Sequence, residues 1–580
     1  MSYRWIFRSI DDAETLPELQ RALNDLPRSL ARALMLRGVT SFDQARQFFR
    51  AGRDALHAPR QMQDMDRAAE RLAQAIRSGE RVLVYGDYDV DGTTATALFT
   101  DFLRRHDTPV DYFIPDRYED GYGLCTRGLD YAAEQGAGLV VALDCGITAH
   151  AEAAYARKQG LDLIICDHHT TADTLPDALA VLNPKRPDCS YPFDELSGCG
   201  VGFKLVQATL DVLDADPDRA FDYLDLLAVS TAADIVPLSG ENRILLREGL
   251  RALENTPRPG LQAMAKTADF ALSDLGTSDI VFKIGPRINA AGRIDHAHEA
   301  VKLLLAPDVD AGTPHAQRLE TLNEERRTID RTTRQQATTM AERQITSRNP
   351  HALVLYQPDW HLGVIGIVAS RIVEEFYRPT IMLCDNGNAV KGSARSISGV
   401  NIYNALSACE DVLTQFGGHD YAAGLSLEAD DIDRFHDRLD EAIGEVVTPE
   451  LLTPKIDVDA SLALDEIDDR FWAVLKQFGP FGPSNPRPVF HSDDIDVVDA
   501  RTVGGDNSHL KLKVRSASSA AGDPLDVIGF GMGDQLSAVR ASQRNGQPLE
   551  LLFSVEENTW RGRTTLQLKA RDLRLSNEAE

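Results

Sequence analysis

The stretch Val82-Leu83-Val84-Tyr85-Gly86-Asp87-Tyr88-Asp89-Val90-Asp91-Gly92 constrains this chain more than any other. An apolar run, read as a buried strand, ends in three carboxylates spaced two apart. Glycine and two threonines follow, and then a helical pattern. Residues two apart in a strand point the same way, so Asp87, Asp89 and Asp91 are expected to converge where the strand ends. Three clustered carboxylates repel one another unless a cation sits among them, and a divalent metal is the usual answer. The competing reading at this stage is an acidic loop with no ion.

Three further segments repeat the theme. Leu139-Val140-Val141-Ala142-Leu143 leads into Asp144, and Leu161 to Cys166 leads into Asp167-His168-His169. Asp234 closes the apolar run Leu226 to Ala233, whose type is not fixed by pattern. Near-continuous apolar runs alternating with helical segments predict a parallel sheet covered on both faces. In such sheets ligands bind outside the carboxyl ends of the strands. Carboxylates with imidazoles and no thiolate set suit Mn²⁺, and Mg²⁺ less well. The number of ligands points to two ions, about 4 Å apart, the usual clamp for attack of water on a phosphoester. Adjacent histidines after a strand-end Asp read as ligands rather than as satisfied core groups.

The set Asp87-x-Asp89-x-Asp91-Gly92, Asp144, Asp167-His168-His169 and Asp234 resembles the DHH phosphoesterase superfamily, and within it the RecJ single-strand-specific exonucleases. Gly285-Pro286-Arg287-Ile288-Asn289-Ala290-Ala291-Gly292-Arg293 and the run Trp360 to Arg371 resemble RecJ signatures. So do Gly392-Ser393-Ala394-Arg395-Ser396, Gly417-Gly418-His419…Ala422-Ala423-Gly424 and Pro480 to Pro488. Tyr85 departs from the pattern, standing where smaller relatives carry a histidine; Asp87 is the substitute ligand.

The resemblance implies an α/β multidomain chain. A doubly wound parallel-sheet DHH catalytic domain comes first, and a long helix joins it to a second α/β DHH-associated domain. A C-terminal OB-type β-barrel follows. The expected limits are an N-terminal helical region over 1–75, the catalytic domain over 76–260 and a connecting segment with the long helix over 261–350. The DHH-associated domain spans 351–447 and the single-strand-binding barrel 455–575. Asp87, Asp89, Asp91, Asp144, His168 and Asp234 are the expected ligands of two Mn²⁺ or Mg²⁺ ions, with Asp144 bridging. His169 and Asp167 are assigned catalytic roles, orienting ligands or touching the scissile phosphate. Ser393, Arg395, Gly417, Gly418 and His419 are expected to grip phosphate, with Arg287 or Arg293 joining them. The implied activity is 5′→3′ degradation of single-stranded DNA to 5′ mononucleotides, in cooperation with a helicase and a single-stranded-DNA-binding protein. The chain is expected to be a monomer.

Composition fits a large cytoplasmic enzyme. Its 580 residues suffice for three or four domains. Seven cysteines without a Cys-x-x-Cys pair suggest a reducing compartment. No apolar run approaches membrane length and no signal pattern opens the chain, so membrane association is not expected. A net charge of −28 is unusual for a nucleic-acid enzyme, since non-specific affinity comes from Lys and Arg on phosphates. Residues 501–575 reverse the balance, with eleven Lys/Arg against eight Asp/Glu. There Phe530, Phe553 and Trp560 interleave with Lys511, Lys513, Arg515, Arg561 and Arg563, as in a barrel that binds single strands by charge and stacking. An ordinary β domain with a polar face is the alternative from pattern alone.

Gly198-Cys199-Gly200-Val201-Gly202 lacks the endings of a nucleotide-binding loop and reads as a close approach before a helix. Two other functions compete: a DHH phosphodiesterase acting on short oligonucleotides, cyclic dinucleotides or pyrophosphate, and a non-catalytic replication scaffold. The length argues against the first, and the retained ligand positions argue against the second.

Overall fold

The computed structural model describes residues 3–10, 15–387, 389–518, 523–560 and 563–575, with the side chains of Asp274 and Trp560 excepted. They form two compact units, Ala55–Leu452 and a second made of the segment up to Asp54 with the segment from Thr453.

In the larger unit, strands Val110–Phe113, Val82–Gly86, Leu139–Leu143, Asp162–Cys166 and Ala180–Leu182 lie side by side in that order, all parallel. Successive strand residues alternate between two cores. Val82, Val84, Val141, Leu143 and Ile164 pack into one; Leu83, Tyr85, Val140, Ala142 and Ile165 pack into the other. That double burial is why the strands read as unbroken apolar runs. The strand order reverses between Val82–Gly86 and Leu139–Leu143, the switch point where α/β sheets open a crevice at their carboxyl ends.

Helix Val309–Arg348 runs for 40 residues, its first turn capped by Asp308, whose side chain accepts from Ala311 N. Leu319 and Leu322 belong to the core of the first sheet. Ala337 and Ala341 pack with Leu353, Leu355 and Val364 of the next domain. One helix thus ties two cores together. The second sheet orders Gln415–Gly418, Ala422–Leu427, Ala389–Arg395, Thr380–Asn386 and Leu353–Tyr356, antiparallel except for the last pair.

In the smaller unit five strands close on themselves. Phe490–Val503, His509–Ser516, Leu525–Gly529, Leu549–Trp560 and Arg563–Leu575 pair as first–second–third–fifth–fourth–first, with the third and fifth parallel. This is the Greek-key closure of an OB barrel. Helices Leu16–Ala22, Arg28–Met35 and Phe42–Arg50 share its hydrophobic core. The stretch 1–75 is therefore not one helical region. Strand Arg4–Phe7 pairs in parallel with Lys455–Val458, whereas helix Met65–Ser78 packs into the catalytic core. A four-residue strand whose partner lies far away along the chain leaves no periodic signal.

Candidate metal centre and phosphate cradle

Strand alternation does not bring Asp87, Asp89 and Asp91 together, because the strand stops at Gly86. Convergence comes instead from the turn into helix Val90–Arg105. Asp89 is its N-cap, accepting from Gly92 N at 3.0 Å. Asp91 lies in its first turn, buried, and its carboxylate accepts from Gly198 N, Cys199 N and Ser230 Oγ at 2.6–2.9 Å. The glycine-rich helix start therefore holds a carboxylate of the chain itself. Gly198 is required there: a Cβ would stand 2.6 Å from Asp144 Cβ.

Asp144 follows its strand with φ of +63°, a left-handed turn that aims the carboxylate back over the sheet edge. Asp234 follows helix Leu224–Ala233, which is buried through Ala232; that settles the type of the apolar run. Two neighbouring groups result, linked by a third made of Asp144, His168 and His169. Asp87, Asp89 and Asp144 bring carboxylate oxygens within 4.8 Å of one another, as do ligand atoms of Asp91, His168 and Asp234. His168 Nε2 joins the groups, at 3.2 Å from Asp144 Oδ1, 3.6 Å from Asp234 Oδ2 and 3.8 Å from Asp91 Oδ2.

The electrostatics are those of a cation site. Asp87 Oδ1, Asp144 Oδ1 and His168 Nε2 are buried and have no hydrogen-bond partner. Burial, reinforced by neighbouring carboxylates, pushes Asp87, Asp144 and Asp234 well above the ordinary carboxylate range and Asp91 up to about 6. Burial, then the neighbouring His169, lowers His168 to about 3, so its imidazole is neutral. Its Nε2 has no hydrogen-bond partner and faces the carboxylates. A neutral nitrogen and several oxygens, all acceptors, converge; divalent cations suited to oxygen and imidazole fit this donor set. Asp87, Asp89 and Asp144 would hold one ion and Asp91, His168 and Asp234 the other, with Asp144 between them. Tyr85 is buried, donating to Gly123 O at 2.8 Å, and is not among the ligands.

Asp167 is not among these groups. Its carboxylate accepts from Ile147 N, His168 N, His169 N and His169 Nδ1 at 2.7–3.1 Å. Burial opposes its ionisation, but the bonds from His169 and the backbone prevail and hold it at about 2. It is a positioning residue for the two histidines. His169 leans over the cluster, within 4.8 Å of Asp144 and His168 through ligand atoms.

Facing the carboxylates is a cationic wall of which only Arg293 and Arg395 lie in recognisable motifs. Arg293 is lowered to about 10, first by burial and then by Arg117, Arg326 and Arg395, while Asp89 raises it. Arg117 donates to Gly292 O at 3.0 Å and its guanidinium lies 4.1 Å from the Tyr88 ring centre. Arg326 Nε is buried without a partner. Gathered arginines of this kind select phosphate. Arg287 is not shown among them: its guanidinium pairs with Glu320 and donates to Lys283 O.

The remaining expected phosphate contacts lie in register. Gly417 pairs with Gly424, and Gly424 with Ser393. A Cβ at either glycine would meet nothing within 4 Å, so the two leave a bare trough beside Ser393. Arg395, two residues on and on the same face, donates to Ser393 Oγ at 2.9 Å. Gly418 has φ of +148° and packs against Ala422 and Ala423. His419 is exposed at the hairpin turn, its N–H on Ala422 O. Helix Leu362–Phe376 crosses at Gly366, where a Cβ would stand 2.8 Å from Ser393 Oγ.

Three family descriptions match this chain: the DHH family N-terminal domain over residues 81–231, the DHHA1 domain over 349–445 and the RecJ OB domain over 458–572. The single-stranded-DNA-specific exonuclease RecJ of Bacillus subtilis (strain 168) is 36% identical over 571 residues, 96% of this chain and 71% of that protein. This chain belongs to the RecJ family. RecJ of Escherichia coli (strain K12) is 36% identical over 581 residues, 97% of both chains. The structure of RecJ from Thermus thermophilus in complex with Mn²⁺ superposes with a TM-score of 0.81 at 28% identity, covering 99% of this chain and 79% of that one. A second RecJ structure, bound to manganese, matches 69% of this chain and 97% of its own at 33% identity, with a TM-score of 0.59. The fold, the metal-dependent RecJ class and the OB barrel expected from sequence agree with these findings.

The barrel's binding residues need revision. Phe553 is fully buried in the core and offers no stacking surface. Lys511 pairs with Asp526 and Arg515 with Asp496. Phe530 is exposed, edge-on to His509 and 5.4 Å from Lys569 Nζ. Arg561 and the Trp560 side chain lie outside the described residues.

Proposed function

We propose that this RecJ-family chain is a metal-dependent exonuclease that degrades single-stranded DNA from its 5′ end to 5′ mononucleotides, in repair and recombination. The observation that carries the reading is the convergence of unpartnered, buried Asp87 Oδ1, Asp144 Oδ1 and His168 Nε2 beside the arginine wall. Relatives that bear the name single-stranded-DNA-specific exonuclease support the substrate. Two bound Mn²⁺ or Mg²⁺ ions would supply a water ionised near neutral pH and neutralise charge developing on phosphorus.

The chain's own groups do the rest. Asp167 fixes the His168–His169 turn, and His169 Nδ1 is held on the Asp167 carboxylate. Tyr122 Oη, 3.3 Å from Asp144 O and 3.2 Å from His169 Nδ1, closes the mouth of the site. Arg117, Arg293 and Arg395 with Ser393 grip a terminal phosphate, and the Gly417–Gly424 trough admits it. The exposed Phe530 beside Lys569 gives a strand one stacking platform on the barrel. The monomeric state, the cytoplasmic setting and cooperation with a helicase and a single-stranded-DNA-binding protein belong to the same reading, supported by the family resemblance and by seven unpaired cysteines.

The test is Mn²⁺-dependent digestion of long single strands labelled at one end. Immediate release of labelled mononucleotide from 5′-labelled strands alone, with duplex spared, is the expected result. Cleavage confined to dinucleotides would overturn the reading in favour of a small-substrate phosphodiesterase.

A further inference from the structure

A second cavity, of about 550 Å³, lies beyond the outer end of the catalytic sheet and shares no residue with the metal cluster. It is lined by Phe113, Thr126, Arg127, Tyr131, His296 and His298 among others. Pockets for small ligands run from about 300 to 1,000 Å³. The imidazoles of His296 and His298 stack at 4.2 Å with their planes 14° apart. His298 N donates to His296 Nδ1 at 3.2 Å, so His296 keeps its proton on Nε2. Burial lowers both histidines, which are therefore neutral π surfaces at pH 7. No third His, Cys, Asp or Glu stands close enough to make a metal group with them among the described residues.

The remaining groups are those a nucleotide needs. Stacked heteroaromatic rings with Phe113 and Tyr131 form a surface for a base. Arg127, half-exposed over the Phe113 ring, is the cation. Glu134 is an acceptor for an exocyclic amine, whereas Asp130 is already held by Tyr155 Oη and Gln159 Nε2. We propose that this cavity binds a nucleoside 5′-monophosphate, its base on the His296–His298 stack and its phosphate on Arg127. The choice of a mononucleotide rests on the nuclease reading, whose product it is.

The site is wired to the catalytic cleft. Arg127 pairs with Glu119 and Asp120. These belong to the loop whose other side chains, Arg117, Tyr118 and Tyr122, bond Gly292 O, Arg293 O and Asp144 O. A phosphate on Arg127 competes with the loop's carboxylates and loosens those contacts. Product bound there should therefore slow turnover and also raise KM, because Arg117 lies on the same loop.

The experiment is calorimetric titration of 5′-dAMP into the full-length Asp144→Ala/Arg395→Ala chain without metal, in which both the metal centre and the phosphate cradle are disabled. Binding should persist in that background, and Arg127→Gln and the double variant His296→Ala/His298→Ala, each added to it, should weaken it at least tenfold. Binding that is absent from that background, or that survives both cavity changes, overturns the proposal. Arg127→Gln alters a half-exposed side chain and reads the outcome should the double variant fail to fold. Binding at the cavity, with a wild-type chain that cleaves no DNA in Mn²⁺, would remove the nuclease reading and leave this one standing.

Discussion

His168 Nε2 lies 3.2 Å from Asp144 Oδ1, and neither atom has a hydrogen-bond partner. Two buried acceptors at that separation are unfavourable alone, since each loses its hydration without gaining a bond. Their approach makes sense around a shared cation, and the measurable consequences follow from that.

The first concerns pH. Asp91 stands at about 6, and Asp87, Asp144 and Asp234 are raised well above the usual range, all chiefly by burial. Folded values above the unfolded ones mean stability that is present at low pH and lost as pH rises through the folded values. A cation that binds the ionised groups restores it. The Mn²⁺-induced rise in Tm should be small near pH 5 and grow as pH passes through about 6. A rise independent of pH would contradict the ligand assignment.

Gly198→Ala places a methyl 2.6–2.7 Å from Asp144 Cβ and Oδ1. Displacement of about 1 Å at a reacting centre costs on the order of 10²-fold, so kcat should fall by about that factor with the fold retained. Gly200→Ala, two residues on, meets its nearest neighbours at 3.4–3.5 Å and should leave kcat unchanged. Steady-state rates on single-stranded DNA decide between them.

Gly424→Ala places a methyl in the trough beside Ser393 without a clash, since a Cβ there meets nothing within 4 Å. It should raise KM for 5′-phosphorylated strands about tenfold while Tm changes little. An unchanged KM would remove the trough from the binding path.

Residues up to Asp54 fold with the barrel, so removing the barrel alone would strip a core from three helices. The fragment 55–452 is the proper truncation. It should keep kcat, raise KM for long strands and steepen the loss of activity with salt, as expected when a strand-binding surface is removed. Salt-independent KM values equal to those of the full chain would exclude the barrel from substrate binding.

The strand-end carboxylates were legible because strands buried on both faces leave apolar runs that stop abruptly at polar residues. The long helix expected within 261–350 runs from Val309 to Arg348. The features that left no sequence signal have local causes. Asp91 is aimed by a helix turn, not by strand alternation, and its partner is the glycine-rich helix start, whose pattern shows only a close approach. Arg117 and Tyr122 sit in an irregular loop with no periodicity to mark them. Arg287 belongs to a signature segment, yet its guanidinium is engaged by Glu320 from a helix 33 residues on. Phe553 alternates like a surface aromatic until the barrel closes around it. Sequence spacing shows which face a residue takes only once the element's ends are known.

The most direct test of the two-cation account is the Mn²⁺ stoichiometry of the purified chain, measured by titration with free-metal correction, in wild type and in Asp144→Ala. The account predicts two ions per chain in the wild type. In the variant it predicts loss of tight binding at both sites, no hydrolysis, and single-strand affinity within about twofold of the wild type. Two ions retained by Asp144→Ala, or strand cleavage by it, would contradict Asp144 as the shared ligand and the centre built around it.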